Sequence, residues 1–511
     1  MSELTKAVRW IAFLCLTALM PVQADAQEIR PLRGNCTPTL LAADGDETDA
    51  RGMTPRRLPA IRRDMWDLVP EKHSIVVLIE FNDQSFGMDD PNSYYDRLFN
   101  EHQYNERNGV GCVADYFRDQ SAGRCDITFD IYGPIVVDES VKGGTYRAST
   151  FRNALLSLIA DQPDDSAMGE GCDWDNDGNA QQVVFVYAGL GGNVDNDGAE
   201  SGCIWPHTST FSKATLPNGL NVSNYTVSAE MMTLKLRSGI GTICHEFSHS
   251  LGLPDLYPTS GDSEFSVVDE WDLMDGGNFS DNGWCPPNYS SLEKMLLGWI
   301  TPTLLTDAES ITGMLSVADG GQVWQVKKTD HEYYLLENRQ WRGWDACLPG
   351  HGLAVFHVDY NLSAWSGNTV NVMPSHHRYD IIHADNQTYN DWDAVWAGKN
   401  PYVNHHSRYL STSAYPYVVD GEVLNDELTD ESAPAALVYA EDGLMSKPVT
   451  KIHEDDRGLI SFDFMGGWLS TVERAPVANR GEPVRAACDL LGRPARGGGI
   501  QIQNRRKQIR N

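Results

Sequence analysis

One short segment constrains this chain more than any other: His245-Glu246-Phe247-Ser248-His249, continuing as Ser250-Leu251-Gly252-Leu253-Pro254-Asp255. Residues four apart on a helix share a face, so both imidazoles can reach one ion. Glu246 lies slightly round the helix, where its carboxylate can hydrogen-bond a water held by that ion. Gly252 permits the turn that ends a helix, and Pro254 pushes Leu253 out of helical conformation. The chain can then double back and present Asp255 as a third ligand. A carboxylate from a later loop, Glu264 or Asp269, could take that place instead. Zinc suits the set, because it accepts nitrogen and oxygen ligands tetrahedrally and keeps one position open for water. The plain alternative is a solvent-facing helix whose two histidines happen to be four apart.

The surrounding pattern is that of an α/β unit. Residues 75–81 form a β-branched run typical of a buried strand, and folded structure is expected to start at His73. Residues 113–120 read as helix, 126–132 as strand, 150–161 as helix and 183–188 as a buried strand. A Gly/Asn/Asp/Ser-rich stretch follows, and then a helix over about 239–251. Past residue 300 short strand-like runs dominate, at 322–326, 333–337 and 353–358. The expected organisation is an irregular leader or short pro-segment over 27–72, a catalytic domain over 73–300 and a mostly β domain over 301–466. A chain of 511 residues accommodates two to three units at about 150 residues each.

The motif follows the metzincin pattern H-E-x-x-H-x-x-G-x-x-H, with Asp255 where histidine is usual. Residues 245–257 resemble the signature of the immune inhibitor A-type metallopeptidases, secreted relatives of the metzincins. Trp271-Asp272-Leu273-Met274-Asp275-Gly276-Gly277 resembles their Met-turn, in which a methionine, here Met274, floors the metal site. Glu293-Lys294, Gly298-Trp299, Ile204-Trp205-Pro206-His207, Leu336-Glu337-Asn338-Arg339 and residues 352–359 also resemble family segments. The resemblance covers roughly residues 73–464. It implies a zincin-type, metzincin-like α/β catalytic domain that cleaves internal bonds in proteins. His245, His249 and Asp255 would then hold zinc, with Glu246 as general base.

Weaker constellations accompany this one. Asp173, Asp175 and Asp177 with Gly178 begin like a calcium loop, but the twelfth position is Val184 rather than glutamate. The rival reading is an acidic turn capped by its own side chains. Asp195-Asn196-Asp197-Gly198 reads as a turn. Cys244 faces away from the histidine pair and reads as a small buried hydrophobe. His207, Tyr257 and the pair His357/Asp359 are conspicuous, and structural hydrogen bonding accounts for them without a catalytic role.

The first 26 residues read as an export signal: Lys6 and Arg9, an apolar run over 11–20, then Ala24-Asp25-Ala26 with cleavage after Ala26. That run is too short to span a bilayer, which needs about 20 apolar residues. Removing Cys15 leaves an odd number of cysteines, so at least one is unpaired or pairs between molecules. Cys36, in the leader, could block the zinc of a zymogen as a thiolate, and an ordinary disulfide half is the plainer reading. The formal net charge of -31 opposes binding to nucleic acid or anionic membranes. The tail from 467 to 511 differs, with nine Lys/Arg against three Asp/Glu. Asp489-Leu490-Leu491-Gly492-Arg493 and the following basic run resemble a shortened C-terminal sorting segment of type IX secretion, which implies outer-membrane machinery as a partner. A solvated basic tail explains the same residues. The main functional rival to a peptidase is a catalytically retired zinc-binding surface adhesin, and a zinc amidase of cell-wall peptides is a second. The intact Glu246 argues against retirement.

Overall fold

The computed structural model describes residues 58–141, 148–162, 165, 167–192, 204–259, 267–387, 409–440 and 442–467. The export signal, the leader up to residue 57, the turn at 195–198, Glu264 and the tail beyond 467 lie outside the described residues. No helix among the described residues is long and apolar enough to cross a membrane.

The first half is built on a sheet ordered β2-β1-β3-β5-β4. Its strands are β1 (Lys72–Phe81), β2 (Ile127–Val137), β3 (Val183–Leu190), β4 (His207–Thr215) and β5 (Asn221–Met231). All pairings are parallel except β4 with β5, which is antiparallel. Parallel sheets bury both faces, and β1 follows that rule residue by residue. Val76 and Leu78 face one core, whereas Ile75, Val77 and Ile79 face another that includes Phe151, Leu155 and Leu158. Those last three lie on the helix Ala148–Asp161. Strand β2 runs on past the expected residue 132 through Gly133-Pro134. It can, because it is an edge strand and the N–H that proline lacks is not needed by a second neighbour.

Two departures from the sequence reading matter here. The polar stretch before the helix Gly241–Ser250 contains two strands, β4 and β5, rather than loop alone. Their Ser and Thr residues carry no apolar run, yet Thr208, Ser209, Thr226 and Ser228 are buried. Packed structure also begins before His73. Met65 and Trp66 are buried in the main core. Trp66 Nε1 donates to the Leu297 carbonyl at 2.7 Å, Arg63 Nε donates to the Leu296 carbonyl at 2.8 Å and the Leu58 N–H donates to Ser366 O at 2.9 Å.

Beyond residue 300 the architecture is mostly β. A second sheet, ordered β11-β10-β9-β8-β6, comprises β6 (Thr303–Leu304), β8 (Trp324–Lys327), β9 (Glu332–Arg339), β10 (Gly352–Asp359) and β11 (Tyr379–Ile381). A third, β14-β15-β7, joins β7 (Glu309–Met314), β14 (Val449–Glu454) and β15 (Ile460–Phe464), and β12 (Tyr417–Val419) pairs with β13 (Glu422–Asn425). Alternation on the second sheet divides its contacts. Leu335, Ala354, Phe356 and Val358 join the core that also holds Val76, Phe247 and Met274, while Leu336, Leu353 and Val355 pack with Ile460 and Phe462. The helix Gly241–Ser250 thus shares its core with both the parallel sheet and the second sheet.

Candidate metal centre

The helix Gly241–Ser250 starts where side chains do not fit. A Cβ on Gly241 would lie 2.1 Å from the Asn278 carbonyl oxygen, so only glycine permits that approach. Phe247 and Cys244 anchor it, both fully buried, and Phe247 packs against Phe117 with ring centroids 4.9 Å apart. Cys244 occupies the apolar side, away from the histidines, as the sequence suggests. The helix ends at Gly252, whose φ of +96° reverses the chain. A Cβ there would also meet Ile61 Cγ1 at 2.7 Å and the Pro59 carbonyl at 2.8 Å.

This reversal does two jobs. It places Leu253 O 2.7 Å from His249 Nδ1, and it returns Asp255 beneath the helix. His245 Nδ1 makes the equivalent bond to Leu273 O, at 2.8 Å. With each Nδ1–H donated to a carbonyl, the neutral rings present bare Nε2 lone pairs. Both point at one oxygen: Asp255 Oδ1 lies 3.1 Å from His245 Nε2 and 3.2 Å from His249 Nε2. All three ligand atoms lie within 4.8 Å of one another, and all three residues are buried.

Three convergent lone pairs repel unless something positive lies among them. Burial favours the neutral form of His245, but Asp255, Glu246 and the Leu273 carbonyl outweigh it and hold the bare imidazole up, to about 9. Burial alone would raise Asp255, yet the two histidines hold it well below the usual carboxylate range. A proton on His245 therefore relieves one contact. It leaves His249 Nε2 and Glu246 Oε1 buried with no hydrogen-bond partner among the described residues. Such orphans are costly. A divalent cation held by two imidazole nitrogens and a carboxylate oxygen removes the conflict at the histidines, and the donor set suits zinc.

Glu246 is buried, and burial pushes its carboxyl above the ordinary range against the pull of both imidazoles. Thr208 on β4 lies alongside, its Oγ1 2.5 Å from the Glu246 carbonyl oxygen and 3.2 Å from Oε2. Met274 is fully buried, and its carbonyl accepts from the Leu256 N–H at 2.8 Å. The segment resembling a Met-turn is therefore tied both to a ligand, through Leu273 O, and to the chain just past Asp255. Tyr257 stacks near His245, with ring centroids 6.4 Å apart and planes 14° apart. Asp269 is buried but is not part of the ligand cluster.

The remaining conspicuous residues have structural partners. His207 hydrogen-bonds Trp205 O at 2.7 Å and the Tyr225 hydroxyl at 3.0 Å. His357 meets Glu332 at 2.8 Å, and Asp359 meets Arg378 at 2.6 Å and His376 at 2.7 Å. Asp173, Asp175 and Asp177 do converge, again with one oxygen each within 4.8 Å of the others, but in a partly exposed loop. The Asp173 carboxylate accepts from the N–H groups of Asp177 and Gly178, Asp177 accepts from Asn179 N–H, and Asp175 pairs with Arg62 at 3.0 Å.

Two residues at the centre escaped the sequence reading, Thr208 and Asn368. Neither belongs to a local pattern, and each reaches the site across a long sequence separation.

Comparison with known proteins bears on the same segment. Residues 132–297 match the model of the immune inhibitor A peptidase M6 catalytic domain. Immune inhibitor A of Bacillus thuringiensis subsp. alesti is 25% identical over 198 residues, a match covering 36% of this chain and 27% of that relative. The shared region thus spans about a quarter of the curated relative's length. The matched residues combine helices with strands β3, β4 and β5 and hold His245, Glu246, His249, Asp255 and Met274, so that this mixed α/β segment is similar to the catalytic domain of the immune inhibitor A peptidases.

Proposed function

We propose that this protein is an exported zinc-dependent endopeptidase of metzincin-like fold, hydrolysing internal peptide bonds of protein substrates. The observation that carries the reading is the buried convergence of His245 Nε2, His249 Nε2 and Asp255 Oδ1 beside a Glu246 oxygen that has no partner among the described residues.

In this reading His245, His249 and Asp255 hold the ion. Zinc, when bound, polarises the scissile carbonyl and makes a coordinated water acidic near neutral pH. Glu246 takes the proton of the attacking water on its carboxylate and returns it to the leaving amine. Its burial keeps the proton affinity of the carboxylate high enough for that exchange, and the Thr208 hydroxyl steadies Oε2. The carbonyls of Leu273 and Leu253 fix the tautomers of the two histidines, so neither ring has to reorganise during the reaction.

The test is casein hydrolysis by the purified protein with and without a zinc chelator, alongside metal analysis. Chelator-sensitive cleavage with about one zinc per chain is expected for a single three-ligand site. Cleavage that survives complete zinc removal would overturn the reading.

A further inference from the structure

Asp255 is gripped by a residue 113 positions further along the chain. The Asn368 amide meets it twice: Nδ2 donates to Asp255 Oδ2 at 2.6 Å, and Oδ1 accepts from the Asp255 N–H at 2.7 Å. Asn368 follows the short helix Leu362–Ser366, well outside the residues that match the family catalytic domain. Its backbone adopts a φ of +54°, a left-handed conformation that asparagine tolerates better than most residues. Its carbonyl accepts from Thr259 Oγ1 at 2.6 Å, so the loop is tied to the ligand segment at a third point. The side chain is buried, so no water competes for these bonds.

The consequence for Asp255 is chemical. A free carboxylate can turn and offer either oxygen, or both, to a cation. Here Oδ2 is occupied by a short bond from an amide, and Oδ1 alone faces the histidine nitrogens. An aspartate in place of a third histidine thereby becomes a one-atom donor, as an imidazole would be. The amide also draws charge off the carboxylate through a charge-assisted bond.

We infer that Asn368 is a positioning residue for the metal site, holding Asp255 so that only Oδ1 is presented to the ion. Asn371, three residues on, is a built-in control. Its amide donates to the Leu256 carbonyl at 2.8 Å and to the Tyr379 carbonyl at 2.8 Å, stitching the same two segments without touching the Asp255 carboxylate.

The inference rests on His245, His249 and Asp255 being the zinc site, and its test reads zinc binding rather than cleavage. Asn368→Gly removes the amide while suiting the positive φ. It should weaken zinc binding by about 10–100-fold in competition with a chromophoric chelator, the range for loss of an outer-shell partner. The visible spectrum of the cobalt(II)-substituted protein should change as well, because the carboxylate is freed to bind through both oxygens. Asn371→Ala should alter neither. If Asn368→Gly does not fold, Asn368→Ser, whose hydroxyl can still accept from the Asp255 N–H, carries the same measurement. Unchanged zinc affinity and an unchanged cobalt spectrum on losing the Asn368 amide overturn the inference, as does an equal loss in Asn371→Ala. A wild-type protein that binds zinc yet cuts no peptide overturns the proposed function and leaves this comparison standing. A wild-type protein that binds no zinc overturns both.

Discussion

Two places among the described residues gather three ligand atoms within the same 4.8 Å, and they differ in almost everything else. At His245, His249 and Asp255 the atoms are buried, the spare donors of the rings are already committed to Leu273 and Leu253, and the lone pairs face one another. At Asp173, Asp175 and Asp177 the carboxylates are partly exposed and turned onto their own backbone N–H groups and Arg62. Proximity alone therefore does not define a metal site. What distinguishes the first is that, even with a proton on His245, His249 Nε2 and Glu246 Oε1 stay buried without a hydrogen-bond partner among the described residues, whereas the acidic loop's carboxylates have theirs.

The contrast can be broken most decisively at Glu246. Glu246→Ala should lower peptide cleavage by about a hundred- to ten-thousand-fold while zinc content stays unchanged, read by turnover and by metal analysis of the same sample. Full activity in that variant would remove the proton-transfer role. Next in size is metal removal. Stripping zinc from the buried cluster should lower Tm by roughly 5 °C or more, because bound ligand stabilises the native state by mass action. Removing calcium with a selective chelator should move Tm much less, and a larger shift from calcium than from zinc would invert the comparison.

A finer test lies beside the base. Thr208→Val keeps the shape on β4 and removes the hydroxyl next to Glu246, so turnover should fall by about five- to tenfold, one hydrogen bond's worth. The smallest effect is expected at the acidic loop. Asp173→Ala should cost about 0.5–1.5 kcal/mol of stability from lost turn hydrogen bonds, with turnover unaffected. If that variant lost activity, the loop would have to be counted as part of the functional site.

Much of the centre could be read from the chain because its parts are local. The i, i+4 histidines, the glycine that reverses the helix and the aspartate that follows lie within one short stretch, and helix geometry alone brings them together. The same holds for buried strands such as β1 and β3, whose apolar runs are unbroken. Strands β4 and β5 were hidden by their Ser, Thr and Asn content, although they bury those side chains against one another and the metal helix. Asn368 reaches Asp255 across 113 residues and Thr208 reaches Glu246 across 38, so no spacing rule could have paired them. The end of the leader misled for a different reason. Its composition is irregular, but Met65 and Trp66 in it are core residues.

That last feature bears on how the protein can be matured. Trp66 is bonded to Leu297, Arg63 to Leu296 and Leu58 to Ser366, while Pro59 and Ile61 abut the Gly252 reversal that carries Asp255. Trimming as far as Lys72 would remove the residues that pack against the Gly252 reversal, three positions before Asp255. A cut before Leu58 leaves all of these contacts in place, whereas a cut at Lys72 leaves the Leu297 and Leu296 carbonyls without the Trp66 and Arg63 donors.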